Sequence, residues 1–238
     1  MISVATYNIR KSVGTDWRRK PDRILAVIRE LDVDVVALQE VDRRFGTRAT
    51  SLSLAVIGRE IEHRPLAFDH RPGSLGWHGN TLLVHTRIRV VEQRGLELPG
   101  LEPRGAAMAE LEEGGRRVRV VGTHLGLLRN WRRRQARALL EQLGQLAPLP
   151  TVVMGDLNEW SMGGCLSEFS RSFRLVESGF SYHSERPFVA FDRIMLTPDW
   201  RVEASGVHHS PRATLASDHL PVWARLELAE RGAGSGAD

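Results

Sequence analysis

Six strand-like stretches of this sequence carry a carboxylate, a carboxamide or an imidazole at one end. Asn8 follows Val4-Ala5-Thr6-Tyr7, Glu40 follows Val35-Val36-Ala37-Leu38-Gln39, and His124 follows Val120-Val121-Gly122-Thr123. Asp156 and Asn158 follow Val152-Val153-Met154-Gly155, Asp192 precedes Arg193-Ile194-Met195-Leu196, and Ser217-Asp218-His219 precede Leu220-Pro221-Val222. Strand ends that meet at one edge of packed sheets form a natural crevice, and this one would place hard oxygen ligands beside two imidazoles. Oxygen donors without cysteine suit Mg²⁺ or Mn²⁺, and Mg²⁺ uses one or two carboxylates while keeping waters for a substrate phosphate. Glu40 and Asp218 are such a sparing pair. Taken singly, each acid also reads as a cap, a turn or a surface residue, and each histidine as a packing residue. Their recurrence at six strand ends is what points to chemistry.

The elements that must position these residues are short runs rich in Val, Ile and Leu at 2–9, 33–38, 81–85, 88–92, 118–123, 151–154, 192–196 and 222–228, of strand length and β-branched content. Two helical patterns lie between them. The first, 21–31, opens with proline and spaces Ile24, Val27, Ile28 and Leu31 by three and four residues. The second, 130–146, sets Ala136, Leu139, Leu140 and Leu143 on one face and Arg132, Arg133, Arg134 and Arg137 around the others. The runs at 81–85 and 88–92 are separated by two residues, which predicts a hairpin and therefore mixed sheets. Gly- and Pro-containing segments at 71–79, 98–105 and 178–187 read as surface loops.

A chain of 238 residues with 42% hydrophobic and 26% charged composition fits one globular domain and excludes a highly charged disordered polymer and a disulfide-stapled scaffold. The single cysteine, Cys165, excludes an internal disulfide and a cysteine-based zinc site. All but two of the 33 basic residues are arginines, and the net charge of +4 permits nucleic acid or an anionic surface as partner without requiring either. No apolar run reaches the length of a membrane span, and the start carries no basic leader or cleavage pattern. The expectation is a cytoplasmic monomer, with a domain over 1–228 and a disordered small-residue tail over 229–238.

In order along the chain, Thr6-Tyr7-Asn8-Ile9-Arg10, Leu38-Gln39-Glu40-Val41, Gly79-Asn80-Thr81-Leu82-Leu83, Gly122-Thr123-His124-Leu125, Gly155-Asp156-Leu157-Asn158, Asp192-Arg193-Ile194 and Ser217-Asp218-His219-Leu220-Pro221-Val222 resemble the motifs of the endonuclease/exonuclease/phosphatase superfamily. That group includes exonuclease III, pancreatic-type deoxyribonuclease, inositol polyphosphate 5-phosphatases and neutral sphingomyelinases. The resemblance implies an α/β fold, a four-layer sandwich of two packed mixed sheets flanked by helices, and metal-dependent hydrolysis of a phosphate ester at the sheet edge. By matching positions it implies that Glu40 is the principal ligand of Mg²⁺ or Mn²⁺, with Asn8 and Asp218 completing or neighbouring the site. Asp156 would orient or deprotonate the attacking water, and Asn158 would donate to a phosphate oxygen. His219, paired with Asp192, would face the phosphate as a charged donor or proton-transfer group, and His124 matches the phosphate-facing histidine of the deoxyribonuclease branch. These roles are chemically coherent: cations, carboxamides and protonated imidazoles aimed at non-bridging oxygens stabilise phosphoryl transfer electrostatically.

Residues around this core bear on the substrate. Trp131, Arg133 and Arg134, at the start of the second helix, either track a nucleic-acid backbone or form a solvated helix face. Arg104 is either a phosphate contact or half of a loop salt bridge. Trp160, and with lower rank Trp77, either cover a substrate or pack on their loops. The stretch 181–187 departs from the Thr-Phe-Pro-like run of many relatives, so substrate contacts do not transfer at Tyr182 and His183. Neither the long inserted loops of repair endonucleases nor a membrane-inserting apolar hairpin is present. The expected activity is a phosphodiesterase acting on nucleic acid as endo- or exonuclease. Its alternatives are a phosphatase or a phosphodiesterase for phospholipid headgroups or small esters, and a silent nucleic-acid-binding module.

Overall fold

In the computed structural model, which describes residues 1–43, 49–68 and 73–229, the strands form two six-stranded sheets. The first contains β1 (Ile2–Asn8), β2 (Val35–Gln39), β3 (His63–Pro65), β4 (Thr81–His85), β11 (Trp200–Val207) and β12 (Val222–Leu228), in the order β11-β12-β1-β2-β4-β3. The second contains β5 (Arg89–Leu98), β6 (Arg104–Glu113), β7 (Arg116–His124), β8 (Thr151–Asp156), β9 (Arg174–Leu175) and β10 (Asp192–Leu196), in the order β5-β6-β7-β8-β10-β9. Each sheet has one parallel pair, β1 with β2 and β7 with β8. A parallel pair needs a crossover, supplied by α1 (Pro21–Leu31) and α3 (Arg129–Gly144).

Three apolar clusters build the four layers. Val4, Val35, Ala37 and Leu82 of the first sheet pack against Ala107, Val120, Met154 and Ile194 of the second. The outer face of the first sheet, with Tyr7, Val36 and Leu38, is covered by Ile24 and Ile28 of α1, Ile57 of α2 (Leu54–Glu60) and Ala213 of α5 (Pro211–Ala216). The outer face of the second, with Val121 and Val153, is covered by Ala136 and Leu139 of α3 and Phe169 of α4 (Leu166–Phe169). The sheets approach closely at Gly122, where a methyl group would lie 2.9 Å from Ala37 Cβ.

Strand period dictates where the polar ends point. In β1 the even positions Ile2 and Val4 face between the sheets, and Asn8 continues that face. The same parity carries Val152 and Met154 to Asp156, Ile194 and Leu196 to Asp192, and Val118 and Val120 to His124. Register brings these ends level: His124 is opposite Asp156 in the β7–β8 pair, and Asp192 is opposite Asp156 in the β8–β10 pair.

The expected hairpin between 81–85 and 88–92 does not form. Both edges of β4 are taken by β2 and β3, so the turn after His85 carries the chain into the other sheet, where β5 pairs with β6. Strands β3, β9 and β11 and helices α2, α4 and α5 are additions to the sequence reading. Of the expected tail, Ala229 is tied by its N–H to Asp199 O at 2.8 Å, while 230–238 lie outside the described residues. No helix among the described residues is long and apolar enough to cross a membrane.

Candidate active site

Asp156 is the centre of the strand-end crevice. It is buried, its Oδ1 accepts from Asn158 N at 2.9 Å, and its Oδ2 accepts from Asn8 Nδ2 of the opposite sheet, also at 2.9 Å. Two imidazoles face the same Oδ2: His124 Nε2 at 3.4 Å and His219 Nε2 at 3.8 Å. The preceding Gly155 is obligatory, because a Cβ there would lie 1.8 Å from Thr123 O of the neighbouring strand.

The two histidines are driven to opposite charge states. Burial disfavours charge on both. At His219 this cost is outweighed by Asp192, whose Oδ2 accepts from Nδ1 at 2.8 Å, and by Asp156 and Asp218, so its pKa is raised to about 10. At His124 burial dominates over the attraction of Asp156, and the nearby Arg104 adds to it, lowering the pKa to about 3. Neutral His124 accepts at Nε2 from Asn158 Nδ2, 3.1 Å away. Titratable groups whose environments push their pKa values apart divide acid and base roles between them.

Asp192 is itself held: its Oδ2 accepts from Ser181 Oγ at 2.6 Å, and its buried Oδ1 has no partner among the described residues. Tyr182, next to Ser181, lies with its ring 5.0 Å from that of His219. On the outer face of the first sheet, burial above all, with the charges of Asp218 and Asp192 adding to it, pushes the Tyr7 hydroxyl well above its usual range.

Glu40 and Asp218 form the rim, each side chain retaining 19% exposure, which leaves both within reach of an exchangeable ion. Each has drawn a side-chain cation: Lys11 Nζ pairs with Glu40 Oε2, and Arg10 Nε lies 3.3 Å from Asp218 Oδ2. The turn that delivers them is unusual, since Arg10, Lys11 and Ser12 have φ of 45°, 56° and 60°, and Glu40 and Asn158 are also left-handed at 56° and 50°. Such clustering of costly backbone conformations is typical of functional sites. A hard-oxygen pair that already attracts positive charge fits Mg²⁺ or Mn²⁺. Asn8 is engaged differently, its Oδ1 accepting from Arg10 N at 3.1 Å. Asp156, Asp192 and His219 form a second group that could hold a metal, with one donor atom of each lying within 4.8 Å of the others.

Thus Asn8, His124, Asp156, Asn158, Asp192 and His219 come together, with Glu40 and Asp218 at the rim. Arg104 is buried, pairs with Glu102 at 3.0 Å and leaves its Nε without a partner among the described residues. The arginine-rich helix start is largely consumed internally: Arg132 reaches buried Glu159 at 3.2 Å, and Arg133 and Arg137 reach Glu168 at 3.0 and 2.9 Å. Arg134 stacks over Trp131 at 4.9 Å, and Trp160 is 77% exposed. Trp77 packs on Gly95 and Gly105 and donates to Leu96 O, a structural position. Arg10, Lys11 and Ser181 were not anticipated as site residues. The signal for the first two was two cations directly after the β1 motif. The groove of about 820 Å³ between Ile28, Gly58 and His85 shares no residue with this site.

The sequence profile of the Endonuclease/Exonuclease/phosphatase family matches residues 5–219. The chain is 28% identical over 167 residues to the uncharacterized protein YbhP of Escherichia coli, a match covering 64% of each chain and thus less than two thirds of that relative. Among solved structures it is similar to an endonuclease/exonuclease/phosphatase from Bacteroides vulgatus (TM-score 0.79, 19% identity, 96% of this chain and 99% of that one). It is also similar to a mannosyl-6-phosphatase of Bacteroides thetaiotaomicron (TM-score 0.77, 18% identity, 96% and 100%) and to D. rerio TDP2 complexed with a single-strand DNA product (TM-score 0.73, 16% identity, 95% and 98%). At these identities the structural likeness speaks for the fold.

Proposed function

The chain belongs to the endonuclease/exonuclease/phosphatase family, whose members are metal-dependent phosphoric ester hydrolases, and from that membership we propose a phosphodiesterase that cleaves by attack of water. The observation that carries this reading is Asp156 set between two imidazoles of opposite charge state, with Glu40 and Asp218 at the rim.

Asp156 takes the proton of the attacking water, and its orientation is set by Asn8 and by the backbone of Asn158. His219 is kept protonated by Asp192, so its free Nε2–H is directed at a non-bridging phosphate oxygen. Arg104 adds a donor near neutral His124, where negative charge grows in the transition state, while Asn158, whose Nδ2 donates to His124 Nε2 at 3.1 Å and to Leu125 O at 2.9 Å, turns from one of these partners to reach the phosphate. Glu40 and Asp218 would hold the divalent cation, which supplies Lewis-acid stabilisation and a lowered pKa for bound water. Lys11 and Arg10, which pair with these carboxylates, would then be free to face the substrate.

The alternative ligand group of Asp156, Asp192 and His219 is disfavoured because His219, with Nδ1–H donating to Asp192 and Nε2 also protonated, offers a cation no lone pair. Nucleic acid, phospholipid headgroups and small esters all remain within reach of this chemistry, and loss of Arg132, Arg133 and Arg137 to internal pairs weakens the case for a polyanionic backbone grip. The test is a panel of plasmid, single-stranded DNA, RNA, bis-p-nitrophenyl phosphate, phosphomonoesters and phospholipids with Mg²⁺ or Mn²⁺. Diester turnover is expected. Cleavage of monoesters alone, or binding of nucleic acid with no cleavage of any substrate, contradicts the proposal.

A further inference from the structure

Three loops at the start of α3 carry five of the eleven exposed large apolar side chains among the described residues: Leu101 (78% exposed), Leu127 (65%), Leu128 (57%), Trp160 (77%) and Met162 (71%). Two polar side chains buried in α3 hold these loops together. Gln135 accepts from Gly126 N at 2.8 Å and donates to Pro99 O at 3.0 Å. Arg132 donates to Leu127 O and reaches Glu159 Oε2 at 3.2 Å. The tips are therefore one assembled surface. It adjoins the crevice, because Leu127 and Leu128 follow His124 within four residues and Trp160 follows Asn158 by two.

Exposing this much apolar surface costs solubility and marks an interaction site. Its charged residues identify the partner. Arg129 has no anionic partner among the described residues, and Arg134 has only the ring of Trp131, whereas buried Arg132 is neutralised by Glu159 and exposed Arg133 and Arg137 by Glu168. Aliphatic tips gain free energy by entering hydrocarbon and gain little from stacking on bases, while free arginines and tryptophans favour an anionic headgroup layer. We infer that this rim docks the protein on the surface of an anionic lipid bilayer, placing the crevice at the headgroup level.

Docking does not depend on the hydrolytic reading, and its test reads binding alone. Purified protein is sedimented with vesicles of phosphatidylcholine and with vesicles of equal parts phosphatidylcholine and phosphatidylglycerol, at low and high salt. Wild type is expected to pellet with the anionic vesicles and to be released by salt. Two variants probe the two components: Leu101→Ser, Leu127→Ser, Leu128→Ser and Met162→Ser combined, and Arg129→Glu alone. Each is expected to weaken vesicle binding by about an order of magnitude, with unchanged thermal unfolding and unchanged hydrolysis of any soluble diester that wild type cleaves. Wild type remaining in the supernatant, equal sedimentation with neutral vesicles, or variants that pellet like wild type overturn the inference. So does a loss confined to single-stranded DNA binding, which assigns the rim to nucleic acid.

Discussion

Asp156→Asn lowers diester turnover by about 10² to 10⁴, or roughly 3 to 5 kcal/mol of transition-state stabilisation. The substitution is nearly isosteric and keeps the Asn158 N–H bond and the packing of β8, but it sets an amide NH₂ against Asn8 Nδ2, so a stability loss of about 1 to 3 kcal/mol is expected beside the loss of turnover. Two effects combine: the carboxylate that accepts the water proton is lost, and so is one of the charges that keeps His219 protonated. Single-turnover kinetics with a chromogenic diester, beside a thermal melt, checks it. A loss below tenfold in the folded variant would remove Asp156 from the chemistry.

A second large effect is expected at His219. His219→Ala removes the charged donor and should cost about 10² to 10⁴ in turnover. Asp192→Asn should cost less, because the imidazole remains, and it should change the pH profile in a defined direction. Asp192 is the largest of the influences raising the His219 pKa to about 10. Since the active form is protonated, wild-type activity persists to alkaline pH and falls as pH rises through that value. Without the carboxylate the folded-state pKa drops, so the alkaline limb moves to lower pH. A pH–rate profile of the two proteins decides the matter. An unmoved alkaline limb, or Asp192→Asn proving more harmful than His219→Ala at equal stability, would place Asp192 directly at the metal or phosphate.

The parts of the fold legible in the sequence are those where one physical signal dominates. The 21–31 helix has proline at its start and apolar residues at helical spacing, and α1 spans those residues. Most β-branched runs are strands because burial on both faces demands continuous apolar sequence. Other strands lack that signal. In β6, Arg104-Gly-Ala-Ala-Met-Ala-Glu-Leu-Glu-Glu is rich in residues of low strand propensity, and only its pairing with β5 and β7 makes it a strand. In β11, polar residues interrupt the pattern along an edge of the first sheet. The hairpin expectation failed because a two-residue separation does not say which edges are already occupied.

At the site, residue types at the strand ends and the family motifs point to Asn8, His124, Asp156 and Asp192 at one edge. What the sequence could not carry is how each group is spent. The pairing of Lys11 with Glu40 depends on a left-handed turn of non-glycine residues, a conformation that tertiary contacts impose. Nor does the sequence decide between a nucleic-acid track and a solvated face for the arginines of α3, because Glu159 and Glu168, which pair with them, are distant in sequence.

The central claim is that Glu40 holds a divalent cation at the rim while Asp192 serves His219. Calorimetric titration of Mn²⁺ into wild type, Glu40→Gln and Asp192→Asn tests it most directly. A neutral amide is a poor substitute for a hard anionic ligand, so Glu40→Gln should lose most of the Mn²⁺ affinity and Asp192→Asn should keep it. Unchanged affinity in Glu40→Gln together with a collapse in Asp192→Asn would contradict the account and move the metal to Asp156, Asp192 and His219.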